Sequence, residues 1–302
     1  MLAPTPGIDA DSGPRSEESM LAVSVATFLE NRTAVACALL VVAFAALALL
    51  APWIAPHDPH AGDLLRRLQP PAWMADGEWA YPLGCDALGR DILSRLVFGT
   101  RVSMFIGVAV VLVATVIGTL LGLASGYLRG ALDVAVSRVV DVLLGFPYLI
   151  FAIGLMAVMG PGLSNIILVL VIKEWVLPCR VVRAETLAAR EMEYVEAARA
   201  LGDSRGHIMF REILPNILST VVVVATFRMA TIIIVEASLS FLGLGVQPPT
   251  PSWGSMIADG RQFLLDAWWV STLPGVAILV LVLAINLASQ GLRDAFDPGL
   301  RT

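Results

Sequence analysis

Long apolar runs alternate with polar segments along most of this chain. The first, Thr33 to Ile54, is followed by runs at Val102–Gly126, Val142–Val158, Leu163–Leu177, Ile217–Ser240 and Val270–Leu287. About twenty apolar residues cross a hydrocarbon core of about 30 Å as a helix. Lipid offers backbone groups no hydrogen-bond partner, so each run is expected to be helical. The pattern predicts an all-α, polytopic membrane protein with six transmembrane helices. Residues 1–32 read as a cytoplasmic tail, 33–54 as the first span and 55–101 as an extracytoplasmic segment. Residues 102–290 form a five-helix core with a polar loop at 179–216, and 291–302 a second cytoplasmic tail. The tail before Thr33 carries Asp9, Asp11, Glu17 and Glu18 and lacks the basic start of a cleaved signal, so the first span reads as a retained anchor.

Composition agrees with the pattern. With 57% hydrophobic and 15% charged residues in 302, the chain has too little polar surface to coat a soluble globule of this size. The formal charge of −5 matters less than where the basic residues lie, and nucleic acid is not an expected partner. With the N-terminus cytoplasmic, that side receives Arg15, Arg32, Arg129, Arg138, Arg180, Arg183, Arg190, Arg199, Arg205, Arg211, Arg293 and Arg301. The other side receives Arg66, Arg67, Arg90, Arg95, Arg101 and Arg261. This bias predicts both termini inside, in the cytoplasmic membrane, with the 179–216 loop facing the cytoplasm.

Within the loop, Met192, Val195, Ala198 and Leu201 recur at helical spacing, with Glu193, Glu196 and Arg199 on other faces. Gly202-Asp203 ends that helix, Ser204 caps a second short one, and Leu214-Pro215 marks entry to the next span. Ala197 and Ala198 are small enough to let another surface approach, and Glu196 offers charge at the rim. The bland alternative is an interfacial helix resting on anionic lipid.

Candidate chemistry is sparse. A phosphate-cradling loop ends in Gly-Lys-Ser/Thr, but the chain has one lysine, Lys173, inside an apolar run and followed by Glu174. No Walker-type ATP site is possible, so an ATP-driven process would need its engine on another polypeptide. Cys37, Cys85 and Cys179 suggest no disulfide framework, and His57, His60 and His207 are too scattered for a metal cluster. Charges inside spans are costly, so Lys173, Glu174, Arg228 and Glu236 should face protein or water. Arg228 and Glu236 lie about 80° apart on an ideal helix, poorly placed to pair with each other. Either could line a solute path or tie one helix to another. Residues 55–100, with Trp73 and Trp79, are expected to form an outer cap. Gly243, Gly245 and Pro248–Pro251 suggest a non-helical segment, and Trp253, Trp268 and Trp269 an interfacial belt.

Four blocks carry a resemblance. They are Pro82–Arg95, with Gly84, Asp86, Gly89, Arg90 and Asp91; Glu196–Asn216; Glu236–Gly254, ending in Trp253-Gly254; and Gly291–Pro298. Together they make the chain resemble the inner-membrane permease subunits of bacterial ABC importers, in the dipeptide/oligopeptide (and nickel) family, of the type with an extended first outer loop. The resemblance implies a type I permease fold and a coupling loop in which Glu196, Ala197 and Gly202 meet an ATPase subunit. It also implies a second homologous permease, two cytoplasmic ATPases holding ATP and Mg2+, and an extracytoplasmic substrate-binding protein, with no cofactor on this chain. Cys85 stands where the family usually has Thr, Ser289-Gln290 replaces a more usual Gly-Asp, and Lys173-Glu174 is unusual. The expected role is import of short peptides. Nickel or another small solute, a secondary transporter and a scaffold without a path are the rivals, though no internal duplication is visible.

Overall fold

The computed structural model describes residues 25–296; most of the expected N-terminal tail and residues 297–302 lie outside the described residues. In chain order the helices are α1 (Arg32–Ile54), α2 (Ile92–Leu128), α3 (Gly130–Gly145), α4 (Tyr148–Met159), α5 (Leu163–Glu174), α6 (Val176–Ala189), α7 (Glu193–Ala200), α8 (Arg205–His207), α9 (Leu214–Phe241), α10 (Trp253–Gly260) and α11 (Trp269–Phe296). A π-helical turn, Ile208–Ile213, joins α8 to α9. Among the described residues, four helices are long and apolar enough to cross a membrane: α1, α2, the continuous Arg205–Phe241 helix and α11. The pair α3 and α4, bent by 94°, makes a possible fifth.

The bend has a local cause. Phe146, just before Pro147, is extended at φ −95° and ψ 131°, as proline requires of its predecessor, so the expected straight helix over 142–158 breaks there. The carbonyls freed at the break are held by Lys173, whose ammonium donates to Leu143 O and, at 2.9 Å, to Phe146 O. The odd lysine of α5 therefore caps the broken end of α3.

Other boundaries follow equally ordinary chemistry. Asn31 Oδ1 accepts from Ala34 N at 3.1 Å to start α1, and Asp91 Oδ2 accepts from Ser94 N at 3.0 Å to start α2. Pro215 lacks an N–H and crowds the preceding turn, and that turn widens so that Leu214 N donates to Met209 O. The expected separate second loop helix is thus the foot of a 37-residue helix. The first third of the expected loop is likewise helix α6, and only 190–204 protrude.

α2 and α6 meet along a seam of small residues. A Cβ at Gly118, Gly122 or Gly126 would collide with α6 at Pro178, Cys179, Val182, Arg183 or Thr186. Glycine every fourth residue lets the two backbones touch, which is how helices pack where no hydrophobic effect drives them together. α11 closes on α1, with Gly291 against Ala34. One core gathers Ile92, Met104, Ile233, Trp253, Trp269 and Leu281, and a second gathers Ile106, Val110, Ile166, Leu170 and Ile232. Outside them Leu39, Leu49, Leu112 and Leu279 stand exposed, an anomaly in water and the requirement of a surface facing lipid or another membrane subunit.

Candidate functional site

The protruding knuckle is built by α7. Glu193 and Glu196 occupy its first turn, where the helix dipole favours anions. Val195 and Ala198 turn inward onto Leu123, Tyr127, Ile208, Ile213, Ile217 and Val221. The helix stops in a Schellman turn: Asp203 N donates to Ala198 O at 3.1 Å and Gly202 N to Arg199 O at 3.0 Å. Gly202 sits at φ +89°, where a side chain would be strained. Ser204 Oγ then accepts from His207 N at 3.2 Å, as the capping pattern predicts.

This arrangement sorts the expected loop residues. Glu196, Ala197, Gly202 and Pro215 lie on the exposed face, and Leu201 joins them at the tip, 86% exposed. Ala198, expected to admit another surface, is instead 6% exposed because its face is the one that packs on the chain's own core. Leu214 packs partly against the same cluster. Sequence reading counted Leu201 only as part of an apolar stripe. Its place next to the helix-ending glycine was the signal that it would project.

The knuckle is anchored to the end of α2. Arg190 Nη1 donates to Tyr127 O at 2.9 Å, satisfying a carbonyl of the last turn of α2. The guanidiniums of Arg190 and Arg199 stand 5.8 and 5.6 Å from the Tyr127 ring. Arg129 adds an ion pair to Glu191 at 2.8 Å.

The charges inside the spans fall in two places. Arg228 Nε and Nη2 each reach Glu174 at 2.7 Å, a bidentate pair between α9 and α5, and Glu174 is buried. Glu236, fully buried, accepts from Ser103 Oγ at 3.2 Å and Ser240 Oγ at 2.8 Å. Arg228 and Glu236 share no partner, so they do not form one site, and each links α9 to a neighbouring element.

At the other end the outer motif folds a cap. Asp91, beyond capping α2, accepts from Ser94 Oγ at 2.6 Å and lies 3.4 Å from His57 Nδ1, whose ring stacks on Tyr81. Asp86 accepts from Arg90 Nε at 2.7 Å. Gly84, before Asp86, and Gly89, between Asp86 and Asp91, take positive φ, and an added Cβ at Gly89 would meet Asp63 O. Trp253, expected in an interfacial belt, is fully buried: its ring lies over Gly99, and Nε1 donates to Leu96 O at 3.0 Å. Gly254 lies directly against Ala237 O. The segment after α9 is non-helical as expected, with Val246 N donating to Ser240 Oγ at 3.4 Å. Among the described residues no three His, Cys, Asp or Glu side chains group as a metal site.

Residues 116–302 match the family model described as "Binding-protein-dependent transport system inner membrane component". Residues 19–71 match "N-terminal TM domain of oligopeptide transport permease C". A di/tripeptide transport system permease protein, DppC, of Pseudomonas aeruginosa is 41% identical over 91% of this chain and 91% of its own length. A dipeptide transport system permease protein of Haemophilus influenzae is 40% identical over 91% and 93%, and a glutathione transport system permease protein of Pectobacterium atrosepticum 42% over 91% and 90%. Among solved structures, an inward-facing MetNI methionine ABC transporter chain superposes with a TM-score of 0.54 at 22% identity, covering 67% of this chain and 96% of that one. That likeness places the fold among type I ABC permeases.

Proposed function

The chain belongs to the family of inner-membrane components of binding-protein-dependent transport systems, and from that membership we propose that it imports short peptides under the drive of separate ATPase subunits. In such a family the membrane subunit has no ATP site of its own. The observation that carries the reading is the knuckle at α7. It offers Glu196, Ala197 and Leu201 to a partner while Val195 and Ala198 are seated on the feet of α2 and α9. A push on that surface is delivered straight to two of the longest spans, through packed side chains that resist compression.

The remaining parts of the reading follow from it. ATP and Mg2+ reside on two cytoplasmic ATPases, a second homologous permease completes the path, and an extracytoplasmic binding protein delivers the solute. Both termini and the knuckle face the cytoplasm, with residues 55–91 and 242–268 outside. Six spans result if α3–α4 and α5–α6 each count as one crossing. Peptide is favoured because the relatives just named are described as permeases for dipeptides, tripeptides and glutathione.

Reconstituted vesicles holding all subunits test the coupling. Glu196→Arg reverses the charge at the docking face, and Gly202→Val strains the turn that presents it. Each should weaken docking of the ATPase, tenfold in affinity for each loss of about 1.4 kcal/mol, and thereby lower peptide uptake per ATP hydrolysed. Normal uptake stoichiometry in both variants would overturn the assignment.

A further inference from the structure

The cap holds an arginine that its own fold leaves short of partners. Arg95, in the first turn of α2, has a side chain only 4% exposed, and among the described residues neither its Nε nor its Nη1 has a hydrogen-bond partner. Buried guanidiniums are normally matched by acceptors. The carboxylate beside it is already engaged. Asp86 accepts from Arg90 Nε at 2.7 Å and from the Leu88 and Arg90 amides at 2.8 and 3.0 Å, and Arg95 Nε stays 3.5 Å away. Asp259 stands at 3.7 Å from Arg90 Nη2 and 3.8 Å from Arg95 Nη2, beyond hydrogen-bond reach. Partial burial also raises the pKa of Asp259, disfavouring its anion. These four groups, with Pro249 and Gln262, line a cavity of about 270 Å³. Two fixed cations thus face a space with one carboxylate that already accepts three hydrogen bonds and one that falls short.

We propose that this cavity is a carboxylate-binding site, which an aspartate or glutamate side chain of the extracytoplasmic binding protein enters when it docks. The proposal rests on the transport reading above and adds the chemistry of one contact. Paired guanidiniums suit a carboxylate because they present parallel donors in a planar fork. A partner's side chain is favoured over a transported solute because the walls come from the cap, the first turn of α2 and residues 248–262 beyond the end of α9, whereas a solute must pass among the middles of the spans. Asp259, half-exposed at the rim, competes for the same cations and gives way.

The test uses the complete complex in lipid nanodiscs and the binding protein that co-purifies with it, with affinity read by interferometry at fixed ionic strength. Arg95→Met should weaken binding roughly ten- to hundredfold, the loss of one charged hydrogen-bonded pair. Asp259→Asn, which removes the competitor, should tighten it severalfold; a structural lesion would weaken both. Acetate should displace the binding protein more than chloride does at equal ionic strength. If Arg95→Met fails to assemble, the other two arms decide. Unchanged or weaker binding by Asp259→Asn, or equal effects of acetate and chloride, overturns the proposal. So does a response to the variants by free peptide added without the binding protein. Should no ATPase co-purify, the transport reading itself fails; if it does and affinity ignores the variants, the carboxylate site alone falls.

Discussion

Alanine at Gly122 measures how closely α2 and α6 must approach. Its Cβ would lie 2.6 Å from Cys179 O, 2.9 Å from Val182 Cβ and 3.1 Å from Arg183 N. Two of those atoms are backbone, so no rotamer change relieves the contact and the helices must separate. Overpacking of this kind costs about 1–3 kcal/mol, and the absence of a movable side chain argues for the upper end. Against it stands about 1 kcal/mol gained by replacing a helical glycine with alanine. The net expectation is a loss of about 2 kcal/mol from these two terms. Gly154 in α4 supplies the control, because nothing lies within 4 Å of its added Cβ. There the same substitution keeps only the helical gain of about 0.5–1 kcal/mol. Titration with SDS in mixed micelles, followed by tryptophan fluorescence, should therefore rank Gly154→Ala above the native chain and Gly122→Ala below it. A Gly122→Ala chain as stable as the native one would refute the idea that the glycine seam sets the approach of the helices.

Arg228→Met should cost about 3 kcal/mol by stranding the buried Glu174, the lower end of the usual range because Arg228 is partly exposed. The double variant Arg228→Met/Glu174→Leu should recover most of that, and equal losses in single and double variants would exclude the ion pair as the cause. With Cys37 replaced, cysteines at Trp79 and Leu265, which are 81% and 99% exposed, should react with an impermeant maleimide from outside, and one at Leu201 only from inside. The reverse pattern would overturn the orientation. The buried Asp86 and Trp253 are unsuited to that assay. Native Cys85 should stay unlabelled near neutral pH until the chain unfolds, because burial and the carboxylates of Asp91 and Asp86 push its thiol up to about 12; rapid labelling in the folded protein would contradict its placement.

What was legible in the sequence was whatever depends on neighbours along the chain. Periodicity and length announced the apolar helices, Gly202 announced the end of α7, and Ser204 its successor's cap, because each acts within a turn or two of itself. The break at Pro147 belongs to the same class, although apolar length alone suggested one straight helix over 142–158. Facing was harder. Ala198 and Leu201 sit three apart and read as one apolar stripe, yet one is buried and the other is at the tip, since the helix ends before the stripe can turn back to the core.

Tertiary partners were not legible because they are distant in the chain. Lys173 looked like an anomaly in an apolar run until the freed carbonyls near Phe146 supplied its purpose. Trp253 looked interfacial, as tryptophan often is, until Gly99 supplied the notch that buries it. Gly118, Gly122 and Gly126 stand four apart in plain view, but spacing says only that some backbone comes close, not that it is α6. In each case a residue unfavourable by local rules is matched by one complementary feature elsewhere: a free carbonyl, a missing side chain, a facing helix. By the same reasoning Arg95, buried and, among the described residues, matched only by two carboxylates that stop at 3.5 and 3.8 Å, is the place where a complement from outside the chain belongs.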